Sequence, residues 1–355
     1  MGNILAYSAI TAKTRAMSAS LFSVKDFKAL SELENVSSAV IYLKQHPGYR
    51  DVFKDAEETA LHRRDIERLL KLSMFQDFTK LYRFANGAQR RFLNIHFMYY
   101  EVVILKNCLR TVFDHRKPNP DLFKFKAFFE QHSHVDLTKL SASQSLEDFV
   151  INLKGSMYYE TLSSLNNSSS SALYDYELAL DIFYFKCIWK LKSKYLPKQE
   201  DETLTKSFGP RMDLLNIQWI YRSKKFFQLT PEKIYSMIIP INYKLKQSQL
   251  KALVEAPEIG DFQNILNTTY YSRTYKELPL EADNLDAYYQ SYLSSINAKE
   301  SRRNPYSVAV LNSYFYHKGQ ESRKIITIIE GIRYGLEPRQ IISYISSKDM
   351  EVNIQ

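Results

Sequence analysis

Apolar residues recur at steps of three and four over most of the chain. From about 57 to 84, Ile66, Leu69, Leu70, Met74, Phe78, Leu81 and Tyr82 form one stripe, which predicts a long amphipathic helix. Asn86-Gly87 interrupts the pattern. A second long helix is predicted from about 88 to 114, its end marked by Lys117-Pro118-Asn119-Pro120. Two long helices with so short a connection predict an antiparallel hairpin. The arrangement returns twice. One pair is predicted at about 171–195 and 212–227, with Leu196-Pro197 and Phe208-Gly209-Pro210 between its members. Another is predicted at about 281–299 and 306–330, with Asn304-Pro305 opening the second member. All 11 prolines fall at or near a predicted boundary. Alternation of strand period is scarce, so the chain reads as all-α.

The shorter segments repeat as well. Leu30–Phe53, Leu137–Leu162 and Leu250–Arg273 each begin with a Leu-x-x-Leu helix: Leu30 and Leu33, Leu137 and Leu140, Leu250 and Leu253. A turn and a second apolar helix follow, around Val40–Leu43, Phe149–Leu153 and Phe262–Leu266. Each segment closes on tyrosine, at Tyr49, at Tyr158-Tyr159 and at Tyr270-Tyr271. Leu43, Leu153 and Leu266 are 110 and 113 residues apart. Leu93-Asn94-Ile95 and Leu215-Asn216-Ile217 echo one another on the long helices. These spacings predict three copies of one helical unit, at 1–117, 118–228 and 229–355. The run Asn166–Ser171 reads as a polar loop.

Composition narrows the picture further. Only nine of 355 residues are Gly, against roughly 7% in an average protein. This argues against hairpin-rich β folds and Gly-lined nucleotide pockets. Apolar residues at 45% and charged residues at 25% suit a folded globular chain. Met1–Ala6 lacks the features of a secretory signal, and Ala6 fails the myristoylation pattern that Gly2 invites. Without a secretory signal, the glycosylation patterns at Asn35, Asn267 and the Asn166–Ser171 run are chance matches. No run reaches the ~18 apolar residues of a membrane span; the strongest, Phe97 to Leu105, is interrupted by Glu101. Cys108 and Cys187 match no zinc spacing and suit a reducing compartment. The formal charge of +9 points to an acidic partner, a nucleic acid, an anionic membrane surface, or a lysine-rich solvated helix face, the last being favoured.

The residues of chemistry are sparse. There is no Walker A, GxGxxG or HExxH pattern and no nucleophile elbow. His132-Ser133-His134 after Glu130 could be drawn as a metal clip, but nothing supports it and a polar turn is the simpler reading. Asp175 and Asp181 suit structural ion pairs better than acid–base catalysis. No catalytic residue, cofactor or metal ligand is assigned. Basic and aromatic residues interleave at Tyr184–Lys186, Trp189–Tyr195 and Tyr221–Phe227, as single-stranded nucleic acid would require. Their helical spacing nevertheless predicts rings in a core and lysines reaching outward.

Three passages carry a family resemblance. The first is Tyr7, Ala12, Arg15, Ala16, Met17 and Leu21. The second is the segment Asp213–Lys224, which contains Asn216, Trp219 and Arg222. The third runs from Asn304–Ser307 through Tyr314, Lys318, Glu321, Arg323, Ile328, Gly331 and Arg333 to Gly335. Together they resemble the C subunits of the archaeal and bacterial V-type (A-type) rotary ATPases, the counterparts of the eukaryotic d subunits, over nearly the full length. The resemblance implies three similar helical subdomains around a pseudo-threefold axis, forming a funnel. It implies a non-catalytic central-stalk rotor protein, peripheral on the cytoplasmic face of the membrane. Such a protein is a socket joining the central shaft subunits (D and F type) to the proteolipid ring, and it couples ATP hydrolysis or synthesis to transport of H+ or Na+.

Arg15, Asn216, Arg222, Lys224, Glu321 and Arg323 match family positions. They are expected either at the shaft or ring interface or in hydrogen bonds and ion pairs at subdomain junctions, the second being favoured because polar groups at helix junctions must be satisfied in any bundle. The alternative to a rotor socket is a cytoplasmic helical nucleic-acid-binding or scaffold protein, and an enzyme stands third.

Overall fold

In the computed structural model, residues 2–58, 61–115, 126–166, 172–276 and 278–345 are described. Among them every regular element is helical. Helix α1 (Gly2–Ser18) precedes three short helices, α2 (Val24–Ser31), α3 (Val36–Gln45) and α4 (Arg50–Phe53), and two long ones, α5 (Arg63–Phe84) and α6 (Gly87–Phe113). The order then recurs. Short α7 (Lys126–His132), α8 (Leu137–Ser141), α9 (Leu146–Ile151) and α10 (Tyr159–Asn166) lead to long α11 (Leu173–Tyr195) and α12 (Lys198–Lys225). Short α13 (Pro231–Met237), α14 (Gln247–Glu255), α15 (Ile259–Asn267) and α16 (Tyr270–Thr274) lead, through a 3-10 turn at Ala282–Asn284, to long α17 (Leu285–Arg303) and α18 (Val308–Arg333). Helix α19 (Pro338–Ile345) follows. The Lys117–Pro120 boundary and most of the Asn166–Ser171 run lie outside the described residues.

Small polar side chains start the short helices where the sequence offers them. Ser23 and Asp26 form a reciprocal capping box on α2, with bonds of 2.7 and 3.3 Å. Asn35, Asp136 and Ser145 accept from the first-turn N–H groups of α3, α8 and α9. Each cap satisfies donors that a helix start leaves open.

The chain divides into two compact units. The first is Met1–Gln89, Glu202–Ser207 and Thr274–Gln355. Its core joins Phe22, Phe27, Leu30, Val40, Leu43, Tyr49 and Phe53 of the first short set to Ile66 and Leu70 of α5. On the other side it meets Ile325, Ile328, Ile329 and Ile332 of α18 and Ile341 and Ile345 of α19. Leu30 and Leu43 are fully enclosed, as their spacing predicts. The predicted 281–299/306–330 pair is present, α17 lying along α18.

The second unit is Arg90–Asp201 and Phe208–Arg273. Phe97, Phe129, Leu140, Phe149, Leu153, Tyr158 and Leu162 are buried in it, as are Leu180, Ile188, Ile217, Leu253, Phe262 and Leu266. Across it, Lys106 and Arg110 of α6 pair with Asp181 and Glu177 of α11.

Expectations are refined in three places. First, the predicted 57–84/88–114 hairpin falls across the two units: α5 packs on α1, α4 and α18 in the first, and α6 is tied by ion pairs to α11 in the second. A periodic stripe says that a face must be covered, not by which helix. Second, Phe208-Gly209-Pro210 does not end a helix: α12 runs through it for 28 residues. Proline ordinarily drives the preceding residue out of helical geometry by crowding its Cβ, and Gly209 has none. Gly209 is needed there for a second reason, because a Cβ would stand 2.4 Å from the Tyr243 ring. Third, Pro305 lies in the turn before α18, whose cap is Ser307.

Candidate functional site

Glu101 on α6, Asp213 on α12 and Glu321 on α18 are buried carboxylates, each on the second long helix of its pair. Each accepts a hydrogen bond from the tyrosine that closes a short set. Tyr158 donates to Glu101 at 2.8 Å and Tyr271 to Asp213 at 2.6 Å. Tyr49 donates to Glu321. Each carboxylate also holds the chain just ahead of that set's Leu-x-x-Leu helix. Glu321 takes the Phe22 N–H at 2.6 Å, two residues before α2. Glu101 takes the Ser133 hydroxyl, four residues before α8. Asp213 takes the N–H groups of Tyr243, Lys244 and Leu245 at 2.6–3.0 Å, just before α14. A single carboxylate thus clasps both ends of a short-helix set to a long helix.

The three clasps differ in electrostatics. Burial pushes the Glu101 carboxyl above its ordinary value, against the lowering effects of Ser133, Tyr158 and nearby His134. Burial likewise raises Asp213, opposed by Tyr271 and the three backbone donors. Desolvation first, and then the facing carboxylate, drive the Tyr49 and Tyr158 phenols well above the usual range. Lys318, 1% exposed, places its Nζ 3.0 Å from Glu321 and 3.8 Å from the centre of the Tyr49 ring. Among the described residues, this buried ion pair belongs to Glu321 alone of the three carboxylates.

A second feature follows the same helices. His115 (φ 50°), Gln228 (φ 49°) and Gly335 (φ 69°) adopt left-handed backbone just past the ends of α6, α12 and α18. They lie 14, 15 and 14 residues beyond Glu101, Asp213 and Glu321. At Gly335 the Leu336 N–H reaches back to the Gly331 carbonyl at 3.0 Å, the bond of a Schellman cap.

The residues singled out in the sequence divide between the units. In the first, Glu321 is in its clasp, while Arg15 on α1 and Arg323 on α18 are exposed. In the second, Asn216 is fully buried. It grips Ile239 by two bonds of 2.9 Å, one to the carbonyl and one from the N–H. Lys224 donates to the Ala256 carbonyl at 2.7 Å, beyond the last turn of α14 where a cation suits the helix dipole. Burial lowers its pKa. Arg222 is exposed.

Sequence reasoning passed over Glu101, which registered only as a break in an apolar run, and the pairing of Asp213 with Tyr271. A lone acid in an apolar stretch was the available signal, since a carboxylate is rarely buried without partners. The Leu93-Asn94-Ile95 and Leu215-Asn216-Ile217 echo has no common register. Asn94 is exposed and lies seven residues before its carboxylate, whereas Asn216 is buried and lies three after.

The His132-Ser133-His134 turn serves a clasp through Ser133, and the His132 ring packs 5.7 Å from Phe97. In the basic–aromatic stretches Tyr184, Phe185 and Tyr221 are buried, as expected. Lys192 departs from expectation: it is buried, over the Trp189 ring and 2.6 Å from Asp201. Phe226 and Phe227 also depart, standing 64% and 69% exposed.

Among the described residues no helix is long and apolar enough to cross a membrane. The family described as ATP synthase (C/AC39) subunit matches residues 10–344. The chain is similar to the C subunit of the A-type ATP synthase of Methanobrevibacter smithii, 23% identical over 346 residues covering 93% of this chain and 85% of the relative. It is similar to the protein of the same name from Pyrococcus abyssi, at 23% identity covering 94% and 89%. The one from Archaeoglobus fulgidus is 22% identical, covering 96% of each.

Proposed function

The chain belongs to the ATP synthase (C/AC39) subunit family, and we propose that it is the non-catalytic central-stalk C subunit of an A-type or V-type rotary ATPase. On this reading it is a socket between the central shaft subunits (D and F type) and the membrane proteolipid ring, peripheral on the cytoplasmic face. It transmits torque that couples ATP hydrolysis or synthesis to movement of H+ or Na+. Full-length similarity to the C subunits of A-type ATP synthases carries the reading.

The three copies at 1–117, 118–228 and 229–355 are proposed to surround a pseudo-threefold axis as a funnel. The clasps support this by their order. The long helix that ends the first copy, α6, clasps the short set of the second. Helix α12 ends the second copy and clasps the short set of the third. Helix α18 ends the third copy and clasps the short set of the first. A cyclic order of three closes on itself. A coupler also needs stiffness, and long helices with buried junctions supply it. Exposed Arg15, Arg222 and Arg323 are proposed for contacts with shaft or ring, and Asn216, Lys224 and Glu321 for holding the copies in place.

The experiment is deletion of the chain from ATPase-bearing membranes. ATP-driven ion uptake into vesicles should be lost while the catalytic head still hydrolyses ATP, and re-addition should restore uptake. Undiminished uptake without the chain would reject the reading. Burial of Tyr184, Phe185 and Tyr221 weakens the nucleic-acid alternative, while Tyr195, Phe226 and Phe227 stand exposed.

A further inference from the structure

Two of the three clasps join parts of the chain that are close in sequence, and one does not. Tyr158 and Glu101 are 57 residues apart and Tyr271 and Asp213 are 58, but Tyr49 and Glu321 are separated by 272. At the first two, the clasped set is the next one in sequence after the long helix. At the third, the partners come from opposite ends of the protein. The entropy of closing a loop grows with its length, so 272 residues cost roughly tenfold more than 57 in the closing equilibrium. The added interaction sits at that place. Lys318 pairs with Glu321, lies on the Tyr49 ring and is enclosed with both, while Glu101 and Asp213 are held by hydroxyl and backbone donors.

We propose that Tyr49, Lys318 and Glu321 form the closing clasp of the molecule, positioning residues that hold its first short-helix set against its last long helix where no covalent connection does so. The inference rests on the cyclic arrangement proposed above, and the closure is what lets that arrangement carry load. The Glu321 carboxylate gathers four groups: the Tyr49 hydroxyl, the Phe22 N–H, the Lys318 ammonium and, through Lys318, the face of the Tyr49 ring. Loss of the Tyr49 hydroxyl leaves a buried ion pair short of one donor. The set α2–α4 is then left to the Phe22 N–H bond, the apolar core and the packing of α5 on α18.

Hydrogen exchange on the full-length chain tests this with Tyr49→Phe, Tyr158→Phe and Tyr271→Phe. The first should accelerate exchange in α2–α4 at least about tenfold. The others should accelerate α8–α10 and α14–α16 by less than about threefold, since a tethered set closes again readily. Equal effects of the three substitutions would overturn the proposal. A permuted chain, its natural ends joined by a flexible linker and reopened between 117 and 118, moves the gap. In it Tyr158→Phe should become the damaging change and Tyr49→Phe the mild one. Persistence of the Tyr49 effect would mark a local packing defect and overturn the proposal; if the permuted chain does not fold, the three native-order variants decide alone.

In the assembled ATPase, Tyr49→Phe should lower ions moved per ATP at full occupancy of the protein in the complex, whereas a chain that merely misfolds would be missing from it. A chain that joins no ATPase would strike the rotor reading and leave the exchange result standing.

Discussion

A carboxylate inside an apolar bundle is stable only if its oxygens are satisfied, and Glu101 is satisfied by two hydroxyls, with no helix dipole or paired ammonium among its described contacts. Its pKa in the fold is raised, first by burial. A carboxyl raised in this way favours the protonated fold, so its contribution is greatest below the ordinary value and is lost as pH rises through the folded one. The stability of the natural chain relative to Glu101→Gln should therefore fall as pH climbs from about 4 and level off above the folded pKa, read as urea midpoints. Parallel profiles would contradict this. Elsewhere in the unit, His96 contributes in the opposite sense. Burial, then the charge of Arg211, push it down to about 3, so its stabilisation is present above its ordinary pKa and declines below it. Because His96 is common to both chains, it cancels in the comparison. Sequence located Tyr49, Tyr158 and Tyr271 as the closing residues of repeats. It did not supply their partners, because hydrogen bonds across 57 to 272 residues leave no local pattern.

At the scale of the element, the short helices were legible through their caps and Leu-x-x-Leu cores, and the long ones through their stripes. The beginning of α12 was not. Gly-Pro ordinarily punctuates a chain, and here the same pair lies inside a helix, the glycine sparing the contact between the proline ring and a preceding Cβ. Gly209 also lets the Tyr243 ring approach the backbone, in the segment whose N–H groups bind Asp213. Gly209→Ala should thus act at a distance from its own helix. We expect a loss of about 1–3 kcal/mol, typical of overpacking, with exchange rising around residues 243–245. A purely intrinsic effect of Ala in a helix would instead stabilise it by up to about 1 kcal/mol, with no change at Tyr243.

For the whole molecule, scarcity of glycine and abundance of tyrosine have one structural origin. Long helices leave few positions for glycine, and one that remains, Gly335, ends a carboxylate helix in left-handed geometry. Tyrosine fills the opposite need, a ring for the core and a hydroxyl for a buried acid. The +9 charge is not accounted for by the clasps, where Lys318 is the cation. The alternation of short and long helices was readable from sequence, whereas the carboxylate that each closing tyrosine meets was not. Which long helix serves which short set is decided in three dimensions.

The most direct measurement is a count of copies of this chain in the intact ATPase and after its catalytic head is stripped, by mass spectrometry of the native complexes. One copy per complex, retained with the shaft and proteolipid ring, is the predicted result. Absence from the complex, departure with the head, or several copies around the ring would contradict a single socket between shaft and ring.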